Sequence, residues 1–223
     1  PPSPQTGRLS PNPRCIMPVT ADPDLLSLLP PGRLEFVPAT SMTEDDFFDL
    51  CRRADPLQLE RDANGTITVM PPSGSYSSNR NLRIANQLQQ WADEQNRGVV
   101  FDSSGGFTLP NGATRAPDAA WVEGARLAAL SEETKEQFLP LAPDFAVEVR
   151  SQSDRRSDLE AKMQEYVDNG TRLAWLVDPY EESVTVYRED GTVEVHEHPD
   201  TLSGAPVLPD FVCEFERVWN PNY

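Results

Sequence analysis

Cysteine and histidine are scarce in this chain. Its 223 residues include three cysteines, Cys15, Cys51 and Cys213, and two histidines, His196 and His198. No CxxC pair or Cys/His cluster occurs, which argues against a zinc site built from thiolates and imidazoles. An odd, scattered cysteine set suits a reducing compartment rather than a disulfide-stapled domain. Long apolar runs are missing too. No stretch approaches the ~20 residues needed to span a bilayer, and the first residues lack the charged-then-apolar pattern of a secretion signal. A cytoplasmic location is therefore expected. Basic residues are few: 19 Lys and Arg stand against 36 Asp and Glu, for a formal net charge of -17. This argues against a protein that coats nucleic acid through a basic face. It still leaves room for a metal-dependent enzyme, because a metal site needs acids and a local basic rim can coexist with an acidic body.

Proline, by contrast, is concentrated at one end. Of the 22 prolines, Pro1, Pro2, Pro4, Pro11, Pro13, Pro18, Pro23, Pro30 and Pro31 all fall within the first 33 residues. Each removes a backbone donor and fixes φ, so neither a sheet nor a long helix is expected there. The sequence reads as an extended arm over residues 1–33, either a leader or a strap for a partner subunit, followed by one domain over residues 34–223. A chain of this length can bury a core without disulfides or structural metal.

Ordered elements begin near Thr43. Thr43 and Asp46 have the spacing of a capping box, and Phe47, Leu50, Cys51 and Ala54 continue as a helical stripe. Residues 57–61 and 66–70 read as a hairpin around Asn64-Gly65. A long helix is expected over residues 78–95, where Ile84, Leu88, Trp91 and Ala92 recur at helical spacing. Strands are expected over residues 99–102, 107–110 and 115–122, and a short helix after Ser131. Residues 145–150 read as a strand with Phe145, Val147 and Val149 on one face. A helix should start at Ser157, with Ser157 and Glu160 as a second capping box, and stop at Asn169-Gly170. The apolar run 173–177 reads as a buried central strand, and residues 184–188 and 192–196 as a closing hairpin around Asp190-Gly191.

The chemistry is concentrated in Pro117-Asp118 and Glu148-Val149-Arg150. Alternation puts Glu148 and Arg150 opposite Phe145, Val147 and Val149. With helices on both sheet faces Glu148 leaves water, so it should be paired or bound to metal. Two converging carboxylates suit Mg²⁺, a hard ion that otherwise keeps waters and phosphate oxygens. Taken singly, Asp118 also suits a turn after proline, and Glu148 an ion pair with Arg150 or Arg172.

In their order along the chain, these residues resemble the Uma family within the PD-(D/E)xK nuclease superfamily. The resemblance runs over about residues 43–219. It is carried by Leu59-Glu60-Arg61, Val69-Met70-Pro71-Pro72-Ser73-Gly74 and Asn79-Arg80-Asn81. It continues through Phe101-Asp102-Ser103-Ser104, Leu109-Pro110-Asn111-Gly112 and Arg115-Ala116-Pro117-Asp118-Ala119-Ala120-Trp121. It closes with Pro143-Asp144-Phe145, Glu148-Val149-Arg150-Ser151, Lys162-Met163-Gln164-Glu165-Tyr166 and Leu176-Val177-Asp178-Pro179.

The resemblance implies an α/β (α+β) restriction-endonuclease-like fold, a mixed central sheet flanked by helices. It implies a DNA endonuclease that uses Mg²⁺ or Mn²⁺. Asp118 and Glu148 would hold the metal, with the Val149 carbonyl as a third ligand. Glu60 matches an acid on the family's first strand, although a hairpin ion pair with Arg61 would equally explain it. The superfamily expects Lys two residues after the second acid, where this chain has Arg150. Lys162, on the following helix, would return the ammonium, although a solvated surface lysine is the ordinary fate of that position. Arg150, Ser151 and Arg80 are candidates to contact substrate, and Gln164 and Tyr166 to pack or support. Two other readings stay open: a catalytically relaxed DNA- or protein-binding scaffold of the same fold, and a hydrolase of small phosphate esters. A homodimer or larger homo-oligomer is expected, with Phe47, Phe48, Trp219 and the arm as apolar surface near the termini.

Overall fold

A computed structural model describes residues 34–70 and 72–221; the expected arm lies outside the described residues. The elements are, in order, β1 (Leu34–Phe36), α1 (Glu44–Ala54), β2 (Gln58–Arg61), β3 (Ile67–Met70), α2 (Ser75–Gln95), β4 (Val99–Asp102), β5 (Phe107–Thr108), β6 (Thr114–Arg115) and β7 (Ala119–Val122). After them come α3 (Gly124–Ala128), α4 (Glu132–Lys135), β8 (Phe145–Val149), α5 (Arg156–Asp168), β9 (Leu173–Asp178), β10 (Ser183–Arg188), β11 (Val193–Glu197), β12 (Thr201–Ser203), β13 (Val212–Glu214) and α6 (Glu216–Trp219).

Among the described residues the strands form a six-stranded sheet of order β11-β10-β9-β8-β7-β4, a five-stranded sheet of order β1-β3-β2-β6-β5, and the pair β12-β13. In the six-stranded sheet β8 and β9 are parallel, with Phe145 opposite Leu173 and Val149 opposite Val177. The other pairings there are antiparallel. The parallel pair needs a crossover, and α5 supplies it. This is a mixed sheet flanked by helices.

Both faces of the large sheet are covered. Phe145, Val147 and Val149 join a cluster with Ile84, Leu88 and Trp91 of α2. Ala146, on the alternate face of β8, joins Leu159, Met163 and Tyr166 of α5. Strand alternation therefore carries Glu148 to the α5 side. The hairpin of β2 and β3 turns at Gly65, whose φ of +87° favours glycine. Thr43 accepts from the Asp46 amide and Asp46 accepts from the Thr43 amide, which closes the expected box at the head of α1.

Several expectations are corrected. Residues 115–122 are not one strand. Pro117 has no N–H to donate to a ladder, and the chain leaves β6 in the five-stranded sheet to enter β7 in the six-stranded one. The long helix starts at Ser75, three residues early, after a Gly74 cap. The Ser157 box does not form: α5 begins at Arg156 with Arg155 as its cap, and Ser157 lies inside the first turn. Phe47 and Trp219 are buried rather than surface residues, and Phe48 packs edge-on against Phe138 at 4.9 Å. Phe47 and Trp219 therefore do not supply the apolar subunit surface expected of them, while Phe48 is half-buried. Among the described residues no helix is long and apolar enough to cross a membrane.

Candidate active site

Asp118 sits in the break between β6 and β7, Glu148 near the end of β8, and Lys162 on the inner face of α5. Leu159, Lys162, Met163 and Tyr166 repeat at helical spacing, and all four are buried. The three groups line a groove of about 640 Å³, together with Asn81, Val149, Ser151 and Asp154.

Lys162 Nζ lies 2.7 Å from Glu148 Oε1 and 2.7 Å from Glu60 Oε1. Tyr166 donates its hydroxyl to Glu148 Oε1 at 3.1 Å. Glu60 also accepts from the Ala116 amide at 3.0 Å and pairs with Arg115 at 3.4 Å. Arg115 in turn reaches Asp62 at 2.7 Å and Glu165 at 2.6 Å. Glu60 thus anchors the lysine from behind. Asp118 is held from both sides: its Oδ2 accepts from the Val149 amide at 2.8 Å, and its Oδ1 accepts a short hydrogen bond from Asn81 Nδ2.

The site has a surplus of negative charge. Glu60 and Glu148 share one ammonium, whose charge Asp118 also feels, while Arg115 is shared among three acids. Burial raises the Asp118 carboxyl from its ordinary 3.8 to about 6; the Val149 amide and Lys162 oppose the rise, and Asp154 and Glu60 add to it. Burial raises Glu148 from 4.5 to about 7, against Lys162 and with Asp118 and Glu60. Burial would raise Glu60 as well, but Lys162, Arg115 and the Ala116 amide hold it below the ordinary value. Burial disfavours the Lys162 charge, and Glu148 and Glu60 outweigh it, so the ammonium is kept. Two raised carboxyls beside a fixed ammonium leave the site with more acid than base.

The donor set fits one hard ion. Among the described residues no group of three or more His, Cys, Asp or Glu side chains is arranged to hold a metal. Magnesium, however, commonly uses one or two carboxylates and keeps several waters. Each Asp118 oxygen accepts one hydrogen bond and retains a second lone pair. Next to it, Asn81 Oδ1 is buried with no hydrogen-bond partner. An acceptor in that state costs about 1–3 kcal/mol unless a cation or a water of its shell meets it.

The other candidates are dispersed. Arg150 does not pair with Glu148. Its Nη1 donates to the buried Asp178 at 2.9 Å, and its guanidinium lies 5.6 Å from the Tyr180 ring centre. Arg80 donates to the Val218 carbonyl at 2.9 Å and lies over Tyr76. Neither arginine lines the groove, whereas Ser151 does. Arg61 pairs with the Met42 and Thr43 carbonyls rather than with Glu60. Arg172 lies 3.7 Å from Glu189, away from Glu148. Gln164 is exposed and bonds Asp168. Sequence reasoning gave no role to Asn81, Tyr76 or Tyr180. Asn81 entered the sequence reading only within the Asn79-Arg80-Asn81 motif of the resemblance; its place three positions before Ile84, on the apolar stripe of α2, is a further signal that could have singled it out.

Comparison with known proteins gives the family and the fold. The model of the Uma2 family, described as "Putative restriction endonuclease", matches residues 44–216. A crystal structure described as a "putative nuclease belonging to DUF820" from Anabaena variabilis ATCC 29413 has the same fold. Its TM-score is 0.66 at 21% identity, over 80% of this chain and 98% of that one. No curated protein matches the sequence.

Proposed function

Because the chain belongs to the Uma2 family, we propose that it is a divalent-metal-dependent endonuclease that hydrolyses phosphodiester bonds of DNA. The observation that carries this is the convergence of Asp118, Glu148 and a charged Lys162 on one groove. Asp118 and Glu148 would hold Mg²⁺ or Mn²⁺, with the Val149 carbonyl as the third protein ligand. When bound, the ion supplies Lewis acidity toward a phosphate oxygen and lowers the pKa of a nearby water.

The chain's own residues do the rest. The Val149 amide and Asn81 set the Asp118 carboxylate. Tyr166 and Lys162 set Glu148. An ammonium has three N–H donors, and Lys162 commits two of them to Glu148 and Glu60. The third serves the attacking water or an oxygen of the phosphate as negative charge develops there. Held protonated, Lys162 orients and stabilises rather than removing a proton. Water forms a bond to phosphorus as one P–O ester bond breaks; the proton that the water gives up passes to solvent, and the leaving oxygen takes one from solvent in return. Glu60 and Arg115 act through Lys162, as positioning residues.

Arg150 in place of the superfamily's lysine, together with the charge of -17, supports the scaffold reading of the same fold. Cleavage of mixed DNA substrates with Mg²⁺ and Mn²⁺ separates the two. Cutting by the wild type and none by Asp118→Ala supports the enzyme. No cutting by either protein favours the scaffold.

A further inference from the structure

Tyr180 and Tyr76 are large apolar side chains left half exposed, at 48% and 53%. Both line the groove that holds Asp118, Glu148 and Lys162. Each has a guanidinium against its ring: Arg150 at 5.6 Å from the Tyr180 centre and Arg80 at 5.7 Å from the Tyr76 centre. Each arginine is itself tied down. Asp178 holds Arg150 at 2.9 Å, and the Val218 carbonyl accepts from Arg80 at 2.9 Å. A cation fixed on a ring holds that ring in place. The displaced arginine of the metal motif thus has a structural occupation, to brace Tyr180 beside the acids.

Charge points the same way. Among the groove's described lining residues Lys162 is the one cation, and two of its donors are taken. A duplex carries a phosphate charge every ~1.7 Å of its axis, twice the density of one strand. Gripping it calls for a basic rim, which this lining does not offer. An unpaired strand carries half that charge density and turns its bases outward, where aromatic rings receive them without regard to sequence. The lining is otherwise rich in neutral donors, including Ser75, Ser77, Ser151 and Ser153. The head of α2 has no acid in its first turn and no side-chain cap, so its amides add to the donors that can face phosphate.

We infer that this groove takes an unpaired DNA strand, its bases stacked on Tyr180 and Tyr76, in preference to an intact duplex. The inference names the substrate class for the nuclease reading and rests on it. The test is fluorescence anisotropy of the full chain. The probes are a labelled mixed-sequence single-stranded oligonucleotide and the blunt duplex made from it, with Ca²⁺ in place of Mg²⁺ so that binding is read without turnover.

The single strand should bind roughly tenfold tighter or more. Tyr180→Ala and Tyr76→Ala should each weaken strand binding about tenfold and leave duplex binding unchanged. Tyr180→Phe and Tyr76→Phe, which keep the ring, should bind as wild type. Equal or tighter duplex binding, no binding of either probe, or alanine variants that hold the strand like wild type would overturn the inference. Duplex cleavage without strand preference would leave the nuclease reading intact and refute this one. Strand binding through the tyrosines with no cleavage under Mg²⁺ or Mn²⁺ would do the reverse.

Discussion

Lys162 Nζ lies 2.7 Å from Glu148 Oε1, bridging α5 and β8 with both side chains buried. The two elements come together because α5 is the crossover that makes β8 and β9 parallel, so the fold itself sets this distance. Removing the ammonium leaves Glu60 and Glu148 without their shared cation. A buried pair broken on one side typically costs about 3–5 kcal/mol. Lys162→Ala should therefore lower the denaturation midpoint markedly. It should also cut cleavage by ~10²-fold or more per folded molecule. Denaturant titration and rates corrected for the folded fraction separate the two effects. Wild-type cleavage in this variant would remove Lys162 from the mechanism.

Arg150→Lys should have a far smaller effect on the chemistry. Arg150 bonds Asp178, not Glu148, and a lysine can keep one charge-assisted bond there while losing the planar contact with Tyr180. We expect this variant to cleave at a reduced but measurable rate. A loss as deep as that of Lys162→Ala, in a protein that melts normally, would point to Arg150 as the working cation.

The raised carboxyls make stability depend on pH. Asp118 moves from 3.8 to about 6 and Glu148 from 4.5 to about 7 on folding. Between those limits the folded state binds more protons than the unfolded state. Metal-free stability should then fall as pH rises from about 3.8 through about 7, and level off above. The loss is at most about 3 kcal/mol for each carboxyl. Glu60, whose pKa is lowered, contributes in the opposite sense: its stabilisation is present above its unfolded value and lost below it, in more acidic solution. Melting temperature against pH in EDTA measures this slope. A rise between pH 5 and 7 would contradict the account.

Neutralising one acid should relieve the crowding. Asp118→Asn keeps an acceptor for the Val149 amide, and rotation of the Asn81 amide would let Asn81 Oδ1 accept from the new side chain. Without metal the variant should melt at or above the wild-type temperature near pH 7. It should lose any rise that Mn²⁺ gives the wild type. A destabilised variant that still responds to Mn²⁺ would place the ion elsewhere.

Much of this site could be read from local pattern. Alternation along β8 put Glu148 opposite Phe145 and Val147, and Lys162, given by the resemblance, shares the helical spacing of the buried Leu159 and Tyr166. What escaped depends on partners far apart in the chain. Glu60 meets Lys162 across 102 positions, and Arg150 is drawn to Asp178 across 28. Alternation could name the face of Arg150 but not the carboxylate that claims it. Pro117 was visible, yet its consequence, a chain that changes sheets at Asp118, belongs to tertiary structure. The Ser157 box failed because α5 begins one residue earlier, which moves that serine from the cap into the helix. Phe47 looked like surface beside a terminal arm, whereas the β2–β3 hairpin covers it.

Manganese titration followed by electron paramagnetic resonance, on the wild type, Asp118→Asn and Glu148→Gln, tests the centre of this account most directly. One Mn²⁺ should bind per wild-type chain at neutral pH, should be displaced by excess Mg²⁺, and should bind at least tenfold more weakly to each variant. A wild type that leaves all the Mn²⁺ free, or variants that bind it as tightly as wild type, would show that Asp118 and Glu148 do not hold the ion.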